Sequence, residues 1–181
     1  MPRHCVGWPM FNIIACRSCL MFRIILFAPQ IPPNTGNIIR LSANTGATLH
    51  LIEPLGFHLD EKSCRRAGLD YHALADLHLH KNLDDCMAAL GTARLFAITS
   101  HGAASVFNTQ FAPGDAFLFG SETAGLPDAV HARFAASQKL SLPMIAGNRS
   151  LNLANAASIV VYEAWRQTGF AAAGKDSKFV S

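Results

Sequence analysis

The chain holds 181 residues, 50% hydrophobic and 15% charged, which suits one compact domain and excludes disorder as its main state. Fifteen Lys and Arg against twelve Asp and Glu leave a formal charge of +3, too little for a histone-like coat and compatible with a local basic patch. Arg17 and Arg23 interrupt the one long apolar region, so no stretch reaches the roughly 18 to 20 apolar residues of a membrane span.

Residues 1–20 lack periodicity and read as an N-terminal extension outside the fold. They contain Cys16 and Cys19 as a C-x-x-C without the surrounding βαβ pattern of a redox motif. The five cysteines, with Cys5, Cys64 and Cys86, form an odd set with no second pair, which argues against a disulfide framework and a four-ligand zinc site. A reducing cytoplasm fits this usage. From residue 21 the chain alternates, and residues 21–170 read as the folded domain. A strand is predicted at 23–28, a helix over Thr35–Thr45 ending at Gly46, and a strand over Thr48–Ile52. Short helices follow at Glu61–Ala67 and Leu83–Leu90, then strands at Leu95–Thr99, 116–119 and 138–142. A long helix over 151–167 closes the core, and residues 171–181 read as a mobile tail. This alternation predicts an α/β fold, a mainly parallel sheet flanked by helices. High apolar content with low charge in so short a chain predicts a homodimer.

Three segments carry polar residues where the pattern expects apolar ones. After the first strand, Asn34, Asn37 and Arg40 recur every three residues, with Asn44 a turn further on, and read as one polar helix face. After the strand at 116–119 comes Gly120-Ser121-Glu122-Thr123-Ala124-Gly125-Leu126, whose glycines let backbone approach a ligand. It is neither a phosphate loop nor a dinucleotide fingerprint, so ATP and NAD lose support. The third segment runs from Leu142-Pro143-Met144 through Arg149-Ser150-Leu151-Asn152 into the last helix, which is apolar nearly all round and so predicted to be deeply buried. Ser150 is placed to cap it. Asn152, Asn155 and Tyr162 lie near one stripe and need partners, since an unsatisfied buried amide costs about 1–3 kcal/mol.

Taken in order, N-x-x-N-x-x-R, G-x-E-x-x-G-L and P-M…S-L-N-L-x-N-A resemble the three motifs of the SPOUT superfamily of S-adenosylmethionine-dependent RNA methyltransferases. The resemblance covers about residues 21–169 and implies a C-terminal deep trefoil knot that forms the cofactor pocket. By matching positions it assigns S-adenosyl-L-methionine contacts to Ile98, Gly120, Leu142, Met144, Ser150 and Leu151, with S-adenosyl-L-homocysteine as product. It implies dimerisation through the knotted region, no metal and no membrane. It also implies transfer of a methyl group to the ribose 2′-hydroxyl of the wobble nucleotide of tRNA, cytidine or uridine 34, in leucine isoacceptors. The anticodon stem-loop is the expected partner.

Arg40, Asn34, Glu122, Ser150 and Asn152 are the implied catalytic residues. A guanidinium is a poor proton acceptor, so Arg40 is expected to stabilise a developing alkoxide or grip a phosphate. Candidates for RNA binding are Lys62, Arg65, Arg66 and Arg149, with Arg23 and Lys81 behind them. Another tRNA position or ribosomal RNA is the same-fold alternative, and a non-catalytic nucleotide-binding regulator is the alternative from a different class.

Overall fold

The computed structural model describes residues 22–58 and 77–171. In chain order these form β1 (Arg23–Phe27), α1 (Pro32–Thr45), β2 (Thr48–Ile52), β3 (Leu77–His80), α2 (Leu83–Leu90), β4 (Leu95–Ile98), β5 (Ala104–Ser105), β6 (Ala116–Phe119), α3 (Asp128–His131), β7 (Lys139–Ser141) and α4 (Leu153–Gln167). The strands make one sheet in the order β3-β2-β1-β6-β4-β7-β5, and every pairing is parallel.

Alternation along the central strands sends side chains to two cores. Ile24, Leu26, Phe117 and Phe119 face α1 and α4, where Ile38, Ala157 and Val160 meet them. Ile25, Ala97 and Leu118 face the other way, toward Leu83, Cys86 and Leu90 of α2. Both faces are covered, so strands β1, β4 and β6 are apolar at nearly every position, as a buried parallel sheet requires.

The main elements lie within a few residues of their predicted bounds. Pro32 and Pro33 open α1 earlier than expected, because proline at the first helical positions loses no hydrogen bond it would otherwise make. β3 and β5 were not predicted: Leu77-His78-Leu79-His80 alternates as a strand does but over only four residues, and β5 has two, too few for a period. α3, four residues long, is likewise new. The helix expected at Glu61–Ala67, residues 1–20 and most of the tail lie outside the described residues.

Two expectations about helix faces need correction. Three-residue steps drift by about 60° each against a period of 3.6, so Asn34 and Arg40 stand about 120° apart on α1. Asn34 joins the buried stripe with Ile38 and Leu41, while Asn37, Arg40 and Asn44 are exposed. α4 is not buried all round in the single chain: Ala157, Val160, Val161 and Ala164 are buried, whereas Asn155, Ile159 and Tyr162 are exposed. Asn155 and Tyr162 therefore reach water and need no internal partner.

Residues 99–103, joining β4 to β5, cross the end of β7, which lies between those two strands although it follows both in sequence. Thr99 N–H donates to Leu140 O at 2.9 Å. At Gly102 a Cβ would overlap the backbone of Leu140 and Ser141, so the crossing needs glycine there.

Asp115, 2% exposed, is neutralised where β6 begins. It accepts from Arg94 Nε at 2.8 Å, Arg94 Nη2 at 2.5 Å and Ala112 N–H at 2.8 Å. Arg94 is half-exposed and can rehydrate, so Asp115→Ala is expected to cost about 1–3 kcal/mol, chiefly from the orphaned Ala112 N–H and lost packing. A shift of the urea midpoint at unchanged slope measures it.

On the α2 side, His50 is 5% exposed. Burial first, then the neighbouring His78 and His80 and the Arg23 charge, hold its pKa down at about 3, so the ring is neutral. Burial likewise pushes the Cys86 thiol up to about 11.

Candidate active site

The carboxyl ends of β4, β6 and β7 open into one cleft of about 600 Å³, within the range of small-molecule sites. The loops that leave these strands form its walls. Ile98 ends β4 and Thr99 follows it, Phe119 ends β6 and Gly120 follows it, Leu142 and Met144 follow β7, and Ser150 and Leu151 precede α4. All six predicted cofactor contacts, Ile98, Gly120, Leu142, Met144, Ser150 and Leu151, therefore line the same space.

Gly120 sits at the tightest point. Ser121 N–H donates to Gly125 O at 3.1 Å and Gly125 N–H returns to Ser121 O at 2.9 Å, closing a turn over the end of β6. A Cβ on Gly120 would overlap the backbone of Gly125 and Leu126, which is why a side chain is excluded there.

Glu122 leaves this turn and meets the start of α1. Its Oε2 accepts from Gln30 N–H at 2.8 Å, and its Oε1 from Ile31 N–H at 3.2 Å and Asn34 Nδ2 at 3.0 Å. Asn34 Oδ1 accepts from Asn152 Nδ2 at 2.9 Å, and Asn152 Oδ1 caps α4 by accepting from Ala154 N–H at 2.9 Å and Asn155 N–H at 3.3 Å. Both ends of this relay are fixed by chemistry, since a carboxylate only accepts and a helix N-terminus only donates. Each asparagine must then present its amide nitrogen toward Glu122 and its oxygen toward α4. The relay thereby ties the start of α1 to two segments 88 and 118 residues further along the chain.

Asn152, not Ser150, is the cap of α4, and Ser150 stays exposed on the cleft rim. Asn34 lies inside the first turn of α1 and is 5% exposed; the cap position is Ile31. Partial burial pushes the Glu122 pKa up, but the hydrogen bonds from Gln30, Asn34 and Ile31 outweigh it, and the net shift is downward. Glu122 is thus an anion committed to its neighbours and a weak base.

Of the predicted catalytic residues, Asn34, Glu122, Ser150 and Asn152 line the cleft and Arg40 does not. Arg40 is exposed on α1, six residues or about 9 Å of helix beyond Asn34. Arg149 is exposed on the loop before α4; Lys62, Arg65 and Arg66 lie outside the described residues. Sequence reasoning missed the backbone of Gln30 and Ile31 as the clamp on Glu122. The signal was Pro32-Pro33, which supply no N–H of their own at the start of α1. It also missed Ser100, His101, Asp128 and His131 on the cleft wall, which stand in segments without a periodic pattern.

A cleft across the carboxyl ends of parallel strands, lined by apolar and polar side chains together and bordered by a polar relay, defines a small-molecule-binding α/β protein. The chain belongs to the SpoU rRNA Methylase family, which it matches over residues 21–162. It is 58% identical to the tRNA (cytidine(34)-2'-O)-methyltransferase of Burkholderia ambifaria, over 83% of this chain and 97% of that protein. To the protein of the same name from Escherichia coli it is 49% identical, over 83% and 96%. A solved structure concerned with 2-OH methylation of cytidine or uridine 34 on tRNA superposes with a TM-score of 0.76 at 45% identity, covering 83% of this chain and 97% of that one. The SpoU methyltransferase AviRb from Streptomyces viridochromogenes, in complex with AdoMet, gives 0.68 at 29% identity, over 82% of this chain and 58% of that one.

Proposed function

We propose that this chain transfers a methyl group from S-adenosylmethionine to the ribose 2′-hydroxyl of nucleotide 34 of tRNA, leucine isoacceptors among its substrates. The observation that carries this reading is the Glu122–Asn34–Asn152 relay lining the cleft, in a chain 58% identical to a relative named for that reaction.

The cleft fits the methyl donor: its volume is sufficient, and Ile98, Leu142, Met144 and Leu151 offer apolar contacts for a purine and for the methylenes beside the sulfur. Gly120 and the turn above it supply backbone groups at close range. When bound, the donor provides an activated methyl group on a sulfonium, so the protein's task is alignment. The relay meets that task. Both amides are locked end to end, and each asparagine keeps one N–H beyond its relay bond with which to orient a hydroxyl. Ser150 on the rim adds a hydroxyl that can donate or accept. Glu122 holds the relay and does not remove the proton, because its oxygens are already engaged by three donors.

Arg40 grips RNA phosphate or steadies the alkoxide from outside the single-chain cleft, together with Arg149 and the basic set Lys62, Arg65 and Arg66. The exposed apolar residues Ile159 and Tyr162 on α4, with Leu151 beside the cleft, support a homodimer that covers this face. The placement of β7 between β4 and β5, with the close crossing at Gly102, supports a knotted path through residues 99–103. The family match over residues 21–162 supports a single domain at 21–170, flanked by an extension at 1–20 and a tail at 171–181.

The test is transfer of labelled methyl from S-adenosylmethionine to bulk tRNA, with nuclease mapping of the product. Ribose label at position 34 is expected. Arg40→Ala should reduce turnover by about 100-fold or more while leaving methyl-donor affinity within about twofold, because Arg40 does not line the cleft. Label at any other position overturns the wobble assignment.

A further inference from the structure

A second cluster of chemically competent side chains lies on the far side of β1 from the cleft. β2 and β3 pair in register, His50 opposite His78 and Ile52 opposite His80, so His50, His78 and His80 share one face of the sheet. α2 packs over that face and places Cys86 in the core with Leu83 and Leu90. His50 Nδ1 and His80 Nε2 are 2.9 Å apart, and the His50 ring stacks on His78 and His80 with centroids 5.0 and 5.2 Å away. One ligand atom from each of His50, His80 and Cys86 falls within 4.8 Å of the others.

We propose that His50, His80 and Cys86 form a site for a zinc-type divalent metal ion, distinct from the methyl-donor cleft. None of the three lines that cleft. Two imidazole nitrogens and a thiolate are the donor set that favours zinc and its cobalt surrogate over magnesium or calcium. In tetrahedral coordination, Zn–N of about 2.0–2.1 Å and Zn–S of about 2.3 Å put the ligand atoms roughly 3.3–3.7 Å apart. With the ligand atoms within 4.8 Å of one another, reaching that spacing takes shifts of at most about 1.5 Å.

His50 Nδ1 meets His80, while its Nε2 is buried without a partner among the described residues, so the ring keeps one nitrogen that hydrogen bonding leaves unused. Cys86 is buried beside it as a free thiol. On ligation the Cys86 S–H bond breaks, its proton leaves to water, and the sulfur lone pair forms the bond to the metal; no electron is transferred. His80, half-buried on the edge strand, gives the ion its way in, and three protein ligands leave the fourth position to water. The bound ion would tie β3, the edge of the sheet, to α2.

The test is cobalt(II) titration of the full chain, read by the near-ultraviolet thiolate-to-cobalt charge-transfer band and the intensity of the visible bands. One equivalent is expected, with the band retained in Cys16→Ser/Cys19→Ser and lost in Cys86→Ala. His80→Gln, at the accessible end of the cluster, carries the test if Cys86→Ala does not fold. Its cobalt affinity should fall by more than the roughly 10- to 100-fold typical of losing an outer-shell partner, with methyl-donor binding unchanged. Absence of the band in the wild-type chain overturns the proposal, as does a band that survives Cys86→Ala or a cobalt affinity that is unchanged in His80→Gln.

Discussion

Gly120→Ala is expected to abolish detectable methyl transfer and to weaken methyl-donor binding by about 5- to 150-fold, the equivalent of the 1–3 kcal/mol that overpacking costs. The new methyl would meet the backbone of Gly125 and Leu126, neither of which can swing aside as a side chain does. Relief requires opening the paired hydrogen bonds between Ser121 and Gly125, and that turn carries Glu122. The damage therefore reaches the cofactor wall and the relay together. Gly125→Ala is the informative comparison. Gly125 has φ of +69° and nothing within 4 Å of the place a methyl would occupy, so alanine there costs only the strain of the left-handed conformation, about 1–2 kcal/mol. Calorimetric titration with the methyl donor should show the larger affinity loss in Gly120→Ala. Equal losses in the two variants would remove the steric argument.

The sheet was legible where the chain is apolar on both faces, as in Phe117-Leu118-Phe119 and Ile24-Ile25-Leu26, because such a run has few stable alternatives in water. It was missed at β3, where Leu77-His78-Leu79-His80 alternates as a strand does but is only four residues long, at the minimum length for a period to register. In the site, Asn34, Glu122 and Asn152 stood out as polar residues amid apolar ones, and they are the residues that meet. Their connection was hidden, because a relay spanning 118 positions between Asn34 and Asn152 leaves no periodic trace. Arg40 shows the opposite failure. A spacing of three looks like a shared face in sequence, but on a helix the offset accumulates until Asn34 turns inward and Arg40 faces water. Asn152 rather than Ser150 caps α4 because its carbonyl oxygen accepts from two successive N–H groups while its amide nitrogen reaches Asn34. Serine at position 150 lies two residues too early to accept those bonds.

Glu122→Gln should lower turnover by about 10- to 100-fold and stability by about 1–3 kcal/mol while the chain still folds, because it changes the sign of one end of the relay. The carboxylate accepts from Gln30 N–H on one oxygen and from Ile31 N–H and Asn34 Nδ2 on the other. A glutamine amide has only one acceptor oxygen, so its NH₂ must face at least one of these donors. If that donor is Asn34, the side chain turns over, its nitrogen then faces Asn152 Nδ2, and the mismatch passes along to the cap of α4. The pH dependence separates this from simple loss of packing. The folded pKa of Glu122 lies below the ordinary 4.5, so its stabilisation is complete above that value and is lost as pH falls through the lower folded value. Wild-type stability should thus contain a component that disappears in acid and is missing from Glu122→Gln, whereas near neutral pH, where the carboxylate is fully ionised, the two curves run parallel. Denaturant midpoints measured from pH 7 down to pH 3 read the difference directly. A gap between the two proteins that persists unchanged into acid would show that the Glu122 charge contributes nothing to holding the relay.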